Sequence, residues 1–491
     1  MALFGTNGVR GRLDALTPQL AFDLCASFAS WSKGQAAAPE SSPGSDLSAH
    51  RQVDHSNRGS SRPAARNPLG TIVLARDMRL TSQMIHSAAA AGIMSSGKGV
   101  LDIGLASSPV AEFTLAHQKA AGLVIVTASH NAPEWNALKF VDGNGVAVSR
   151  ERGGIIEQTA LARTYSRAEW QSVGRATPFP DAASVHARAV AGGVAAARIR
   201  KRKLRVALDF GNGTSSLSRE VFSSLGCEIF ALNESIDGNF PGRPSEPSEA
   251  NVQQLLKTVV REGCDLGVAW DGDSDRVVFA DEKGNWIVGD KGFAISAVQA
   301  CKESKRQKER LIVTTVATSR CVEEACSALG AKTIYTAVGA PYLSEKMSSL
   351  GSRAISGGEE VGGIIWPRFS LAKDGIFAAA KICEMICDEK LSVLVGELPS
   401  YFNSKTKIDA KGAQAKAAGL NAAKAHAKGS GARLTLVDGV RCDFDDGWVI
   451  ARASGTEDYM RVFAEGKTKK RADALMNEFK DVVEQGVGKA R

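Results

Sequence analysis

The sequence predicts an α/β protein of several domains, and three observations carry that prediction. The chain has 491 residues, more than one hydrophobic core organises, so roughly two to four domains are expected. Short β-branched runs alternate with Ala-rich helical stretches, the pattern of strand–loop–helix units with largely parallel sheets. The tail breaks that alternation and reads as a smaller α+β domain.

Taken in order, strands are expected at 71–77 (TIVLARD), 122–130 (GLVIVTASH), 204–213 (LRVALDFGNG), 265–273 (DLGVAWDGD) and 310–319 (RLIVTTVATS). Each is a compact apolar run ending in polar or small residues, as a buried strand leading into a functional loop would be. Helices are expected in QMIHSAAAAGIMSSG and NVQQLLKTVVREG. In such sheets ligands collect at the carboxyl ends of the strands. After 398–405 (LPSYFNSK) come a long Ala-rich helix, short strands around TLVDG and WVIARAS, and a last helix. The stretch 34–70 lacks large apolar residues and is rich in Ser, Ala, Pro and Arg, so it reads as a disordered insertion.

The net charge is +8, which favours anionic partners. The basic clusters RIRKRKLR and KESKRQKER contain no aromatics and read as solvated faces, so no nucleic acid is expected. Nine cysteines form no CxxC pair and are expected to be free thiols, with Cys383 and Cys387 sharing one helix face. The first residues, MALFGTNGVRG, lack a signal-peptide core, and no run approaches membrane-spanning length. A cytoplasmic protein without a membrane partner is expected.

Four polar clusters carry the chemistry. Ser129, in VTASHNAPEWNALK, stands where a strand meets the expected start of a helix, so it is either an N-cap or a phosphate-handling hydroxyl, with Lys139 as a nearby cation. In WDGDSDR, Asp271, Asp273 and Asp275 alternate in a tight loop, an oxygen-only set suited to Mg²⁺ or Ca²⁺. Glu282 falls at the twelfth position of an EF-hand count, but Arg276 stands where that loop needs glycine, so an EF-hand is rejected. In RASGTEDYMR, Arg452, Ser454, Gly455, Thr456 and Arg461 offer guanidiniums, hydroxyls and backbone amides to a phosphate. In SGGEEVGGII, Glu359 and Glu360 lie between glycines that let a ligand approach, and carboxylates suit sugar hydroxyls.

Together with LFGTNGVRG, ARDMRLTS, DGNFPGRPSEP, GDK and KDGIFAAAKI, these segments resemble the α-D-phosphohexomutase family, and the GEE.GG form is similar to its archaeal branch. The resemblance implies four domains around a central cleft, three α/β domains with mixed sheets and a smaller C-terminal α+β domain. Their expected bounds are 1–173 (serine loop), 174–287 (metal loop), 288–398 (sugar loop) and 399–491 (phosphate loop). It implies that Ser129 carries the phosphoryl group and, with Asp271, Asp273 and Asp275, holds one Mg²⁺. Arg10, Lys139 and His130 would stand near the reacting group. Glu359 would read sugar hydroxyls, while Arg276, Arg452, Ser454, Gly455, Thr456 and Arg461 would bind substrate. The implied activity interconverts hexose 1-phosphate and 6-phosphate through a phosphoserine and a hexose 1,6-bisphosphate, with glucosamine 6-phosphate to glucosamine 1-phosphate as the first choice and mannose or glucose phosphate as alternatives, in a monomer or homodimer. Many members carry Ser-Gly-His in the sugar loop, where this chain has Val361, Gly362 and Gly363. That leaves the general base open among Lys139, Arg10 and His130. A Mg²⁺-dependent phosphatase and an inactive sugar-phosphate-binding protein are the rival readings. The separate phosphate loop opposes the first, the intact serine and aspartates the second.

Overall fold

The computed structural model describes residues 3–5, 7–32, 70–454 and 458–489. The insertion expected at 34–70 therefore lies, Gly70 apart, outside the described residues. So do Gly455 and Thr456.

Among the described residues the strands form four sheets. The first holds β1 (Phe4–Gly5), β2 (Gly8–Gly11), β3 (Thr71–Arg76), β4 (Gly99–Leu105), β5 (Gly122–Val126), β6 (Asn136–Asp142) and β7 (Ala176–Pro178), ordered β1-β2-β6-β5-β3-β4-β7. Parallel pairing joins β3, β4, β5 and β7, while β6, β2 and β1 add antiparallel strands on one side. The second sheet holds β8 (Arg205–Asp209), β9 (Glu228–Leu232), β10 (Leu266–Trp270), β11 (Val277–Ala280) and β12 (Trp286–Ile287), ordered β12-β11-β10-β8-β9. The third holds β13 (Leu311–Thr315), β14 (Lys332–Thr336), β15 (Ala354–Glu359) and β16 (Gly363–Ile365), ordered β14-β13-β15-β16. The fourth is wholly antiparallel, with β17 (Phe402–Asp409), β18 (Arg433–Thr435), β19 (Val440–Phe444), β20 (Gly447–Ala453) and β21 (Tyr459–Gly466).

The five expected strands are present, and β5 and β10 are buried along their whole length because helices cover both faces of their sheets. The sheets are mixed rather than largely parallel. Each of the first three contains an antiparallel hairpin, β5–β6, β10–β11 or β15–β16. This changes the setting of Ser129. No helix begins there: the chain turns and returns as β6, whose seven residues are all buried and pair with β5 so that Lys139 stands opposite Ile125. Ser129 is a hairpin-turn residue, so neither an N-cap nor helix-start amides operate at this position.

One hydrophobic core runs through both middle sheets, from Val206, Phe210 and Trp270 to Phe293, Ile364 and Phe377. The first sheet and the tail have cores of their own, and Val316 packs with Trp448 and Ile450 where the third and fourth sheets meet. All nine cysteines are free. The helix Gly375–Met385 buries Cys383 but stops before Cys387, whose thiol donates to the Cys383 carbonyl at 3.2 Å. Among the described residues no helix is long and apolar enough to cross a membrane.

Candidate active site

The hairpin turns after β5 and β10 converge. Ser129 is 4% exposed, and its Oγ donates to Asp271 Oδ2 at 2.6 Å. Its φ of 51° is left-handed, a strained state for a serine that the surroundings must hold. Arg79 does much of the holding. Its guanidinium, 2% exposed, donates to the carbonyls of Ser129, Asn131, Ala132 and Trp135, and its Nε donates to Asp77 at 3.0 Å. Ser245 adds a hydroxyl bond to the Ser129 carbonyl and accepts from the amide of Gly272. A Cβ at Gly272 would lie 2.9 Å from the Ser129 carbonyl oxygen, so glycine lets the two loops meet.

Asp271, Asp273 and Asp275 are buried and bring one carboxylate oxygen each to within 4.8 Å of the others. Three adjacent carboxylates cannot all ionise without cations. Burial, then Asp273 and Asp275, push the Asp271 carboxyl well above its ordinary range. Burial also opposes ionisation of Asp275, yet Lys373, Lys139 and Arg276 outweigh it and hold that carboxyl below its usual range. Asp273 Oδ1 and Asp275 Oδ1 are buried and have no hydrogen-bond partner among the described residues. These orphaned oxygens, beside a carboxyl kept from ionising and the Ser129 hydroxyl, fit a hard divalent cation. Ser108 braces the loop, its Oγ donating to Asp273 Oδ2 at 2.7 Å.

Basic groups surround this centre. Lys139 Nζ lies 2.6 Å from Asp273 Oδ2 and 3.4 Å from Asp275 Oδ2. Burial disfavours its charge, but Asp273 and Asp275 prevail and raise its pKa, so Lys139 is an ammonium rather than a ready base. Arg10, exposed on β2, donates to Asn131 Oδ1 at 2.6 Å. His130 Nε2 lies 3.8 Å from Glu246 Oε2. Burial, with Arg276 and Arg10, depresses the imidazole to about 2, so it is neutral at physiological pH. Arg276 binds Glu246 at 3.1 Å through its guanidinium and Asp271 Oδ1 through its amide.

The third hairpin joins the same centre. Val277 N donates to Gly362 O, which ties the metal loop to the sugar loop. Glu359 closes β15, buried, with Lys373 Nζ at 2.8 Å from its Oε1. Lys373 also reaches Asp275 at 3.3 Å. Glu360 accepts from Thr315 Oγ1, and Val338 N after β14 donates at 3.0 Å to Asp438 Oδ2, which also accepts from Arg452, so the fourth loop lies against the third sheet.

In that fourth loop, Arg452 on β20 is directly paired in register with Arg461 on β21. Two cations opposite one another across a ladder repel unless an anion lies between them. Arg452 Nη2 donates to Asp438 Oδ2 at 2.8 Å, and Arg461 Nη2 to the Tyr459 hydroxyl at 2.7 Å. Ser454 N donates to Tyr459 O, and Lys416 Nζ to Ser454 O at 3.2 Å. Glu282, by contrast, stands away from the metal loop and accepts from Ser392, which agrees with rejecting the EF-hand.

Comparison with known proteins decides the family. Four family models match in order: the phosphoglucomutase/phosphomannomutase alpha/beta/alpha domains I (59–167), II (184–284) and III (288–402), and the C-terminal domain (403–482). The chain belongs to the phosphoglucomutase/phosphomannomutase family. A phosphoglucomutase/phosphomannomutase of Thermococcus kodakarensis is 35% identical over 96% of each chain. A probable phosphoglucosamine mutase of Methanopyrus kandleri is 30% identical over 99% of each. In fold, a phosphoglucomutase/phosphomannomutase family protein of Burkholderia thailandensis superposes with a TM-score of 0.81 at 21% identity, covering 99% of this chain and 97% of that one. The phosphohexomutase resemblance and its archaeal character are thus borne out, and the protein is a mutase-class enzyme.

The structure brings Ser129, His130, Arg10, Lys139, the three aspartates, Arg276 and Glu359 into one contiguous set. Arg452, Ser454 and Arg461 form a second set beside it. Sequence reasoning missed Arg79, Ser108, Ser245, Glu246, Lys373 and Asp438. Arg79, Glu246 and Lys373 lie within ARDMRLTS, DGNFPGRPSEP and KDGIFAAAKI, segments that carry the family resemblance, and that was the available signal.

Proposed function

We propose that this enzyme interconverts hexose 1- and 6-phosphates by shuttling a phosphoryl group through Ser129, with glucosamine phosphate as its first substrate. The observation that carries this reading is the Ser129 hydroxyl 2.6 Å from Asp271 in a cation-seeking triad, with a paired-arginine loop separate from it. One site suits the reacting phosphate and the other suits the phosphate that does not react. A structural neighbour, an Aspergillus fumigatus N-acetylphosphoglucosamine mutase, is described in complex with GlcNAc-6P and magnesium.

In this mechanism the phosphorylated Ser129 gives its phosphoryl group to the free sugar hydroxyl. The Ser129 O–P bond breaks as the sugar O–P bond forms, and the hydroxyl proton leaves to a base. The hexose 1,6-bisphosphate then turns over, and its other phosphate returns to Ser129. Asp271, Asp273, Asp275 and the serine oxygen would hold Mg²⁺, which when bound supplies charge neutralisation for the transferring oxygens. Lys139, Arg10 and Arg276 add fixed positive charge, and phosphoryl transfer depends mainly on such placement. Arg79 and Ser245 hold the Ser129 backbone in its strained turn. Glu359 accepts from the sugar hydroxyls, and Arg452, Ser454, Gly455, Thr456 and Arg461 grip the non-reacting phosphate. Lys139 as an ammonium and Arg10 in its charged form do not accept the hydroxyl proton, and an imidazole depressed to about 2 is too weakly basic for it, so His130 orients the serine loop instead.

The similarity to the Thermococcus phosphoglucomutase/phosphomannomutase favours a second reading of the sugar, mannose or glucose phosphate. Phosphorus NMR decides between them. Glucosamine, glucose and mannose 1-phosphate are incubated separately with Mg²⁺ and a trace of the matching 1,6-bisphosphate. Conversion to 6-phosphate, fastest with glucosamine, is expected. Inorganic phosphate as the sole product would replace the mutase with a phosphatase.

A further inference from the structure

We propose that Asp438 is a stand-in anion for the phosphate loop: its carboxylate takes Arg452 back each time the sugar's non-reacting phosphate lets go, which keeps the grip weak enough for the bisphosphate to turn over. The proposal rests on the mutase reading above.

In that mechanism the two phosphates of the 1,6-bisphosphate exchange places, so the phosphate loop must release its ligand within every turnover. Arg452 and Arg461, directly opposite one another on β20 and β21, are poorly suited to release. A phosphate leaving them uncovers two like charges, and that cost adds to the barrier. An anion that steps in as the phosphate departs lowers it.

Asp438 has the geometry for this exchange. Its Oδ2 accepts from Arg452 Nη2 at 2.8 Å and from Val338 N at 3.0 Å. The second bond comes from the third sheet's side, just before the helix Ala340–Leu350, and holds the carboxylate in place when Arg452 turns to a ligand. Gly439 lets the loop sit this close: its φ is 87°, and a Cβ there would lie 2.3 Å from Ala451 O and 2.8 Å from Arg452 Cβ. Nε and Nη2 form one side of the planar guanidinium fork. Asp438 takes Nη2, while Nε is buried and has no hydrogen-bond partner among the described residues. One carboxylate oxygen thus fills half of a fork that a phosphate fills with two. The weaker ligand stands in the stronger one's place. The side chains of Arg452 and Asp438 are 16% and 22% exposed, open enough for a ligand to compete.

The test removes the charge and keeps the shape. Asp438→Asn retains an oxygen for Val338 N, and Asp438→Ser, also uncharged, serves if the first variant fails to fold. Stabilisation by inorganic phosphate is titrated without Mg²⁺, where the aspartate centre repels an anion and the paired arginines are the phosphate site. Kinetics are then measured on glucosamine, glucose and mannose 1-phosphate with Mg²⁺ and a trace of the matching 1,6-bisphosphate. With the competing charge gone, inorganic phosphate should bind roughly three- to tenfold more tightly, and KM and kcat should both fall. A residue that only props the loop predicts weaker phosphate binding and a higher KM, and that result would overturn the proposal, as would an unchanged phosphate affinity. Tighter binding with undiminished kcat would overturn it too, because release would then not depend on the carboxylate. A native enzyme that binds phosphate but converts none of the three sugars would instead sink the mutase reading and this proposal with it.

Discussion

Replacing Arg79 with methionine removes the group that holds the Ser129 turn. The guanidinium serves four loop carbonyls, those of Ser129, Asn131, Ala132 and Trp135, and neutralises Asp77, which is 1% exposed. Breaking a buried pair by removing one partner costs about 3–5 kcal/mol, because the remaining carboxylate is uncompensated. Asp77 keeps bonds from Ser82 Oγ and the amide of residue 79, and the carbonyls of the half-exposed turn can take water, so the lower half of that range is expected. Without the guanidinium nothing comparable opposes relaxation of Ser129 from its φ of 51°, so kcat should fall by at least about a hundredfold. Urea unfolding read at the first transition, together with mutase kinetics, measures both effects. Arg79→Lys restores a charge but not the planar fork, and should recover stability more than kcat. A methionine variant within about 1 kcal/mol of native stability and with unchanged kcat would refute this assignment.

Four further predictions follow from the same geometry. Ser129→Gly should be more stable than Ser129→Ala by about 0.5–1 kcal/mol in thermal unfolding, because glycine populates positive φ freely; equal stabilities would show that the turn relaxes. The raised Asp271 carboxyl means that the metal-free folded state holds a proton which the unfolded chain releases. Metal-free stability should therefore fall as pH rises from the ordinary carboxylate range through the raised value, and Asp271→Asn should be the more stable protein at neutral pH yet lose divalent-cation binding in calorimetry. With the imidazole depressed to about 2, the pH–rate profile should show no step near the ordinary histidine value, and a step there that disappears in His130→Asn would contradict the assignment. Inorganic phosphate should raise the melting temperature of the native protein, and the rise should shrink in Arg461→Ala, since the Arg452–Arg461 pair would lose its second cation.

Much of the fold was legible because buried strands are continuous apolar runs, as at 122–126 and 266–270. The direction in which the chain leaves such a strand was not legible. Nothing in ASHNAPEWN distinguishes a turn returning as β6 from a turn opening a helix, and only the pairing of β6 with β5 decides it. The serine and metal loops were readable because their chemistry lies in a few consecutive residues. The residues that hold those loops were not, since each acts far along the chain: Arg79 lies 50 positions from Ser129, Ser108 lies 165 from Asp273, and Glu246 lies 30 from Arg276. Asp438 was legible only as an aspartate in TLVDG, because its meaning comes from the guanidinium of Arg452, 14 positions on. The shared core of the two middle sheets was equally hidden, as no composition shift near 288 announces whether the flanking segments pack together.

The most direct measurement follows the phosphoryl group itself. The enzyme is incubated with Mg²⁺ and a hexose 1,6-bisphosphate carrying ¹⁸O-labelled phosphoryl groups, and the peptide containing Ser129 is weighed by mass spectrometry in digests taken before and after a chase with unlabelled hexose 1-phosphate. The account predicts a labelled phosphoryl group on Ser129 that is replaced during the chase by an unlabelled one while the label appears in the 6-phosphate, with neither label nor turnover in folded Ser129→Ala. Turnover that persists in that variant, or a phosphoryl group on another residue, would contradict it.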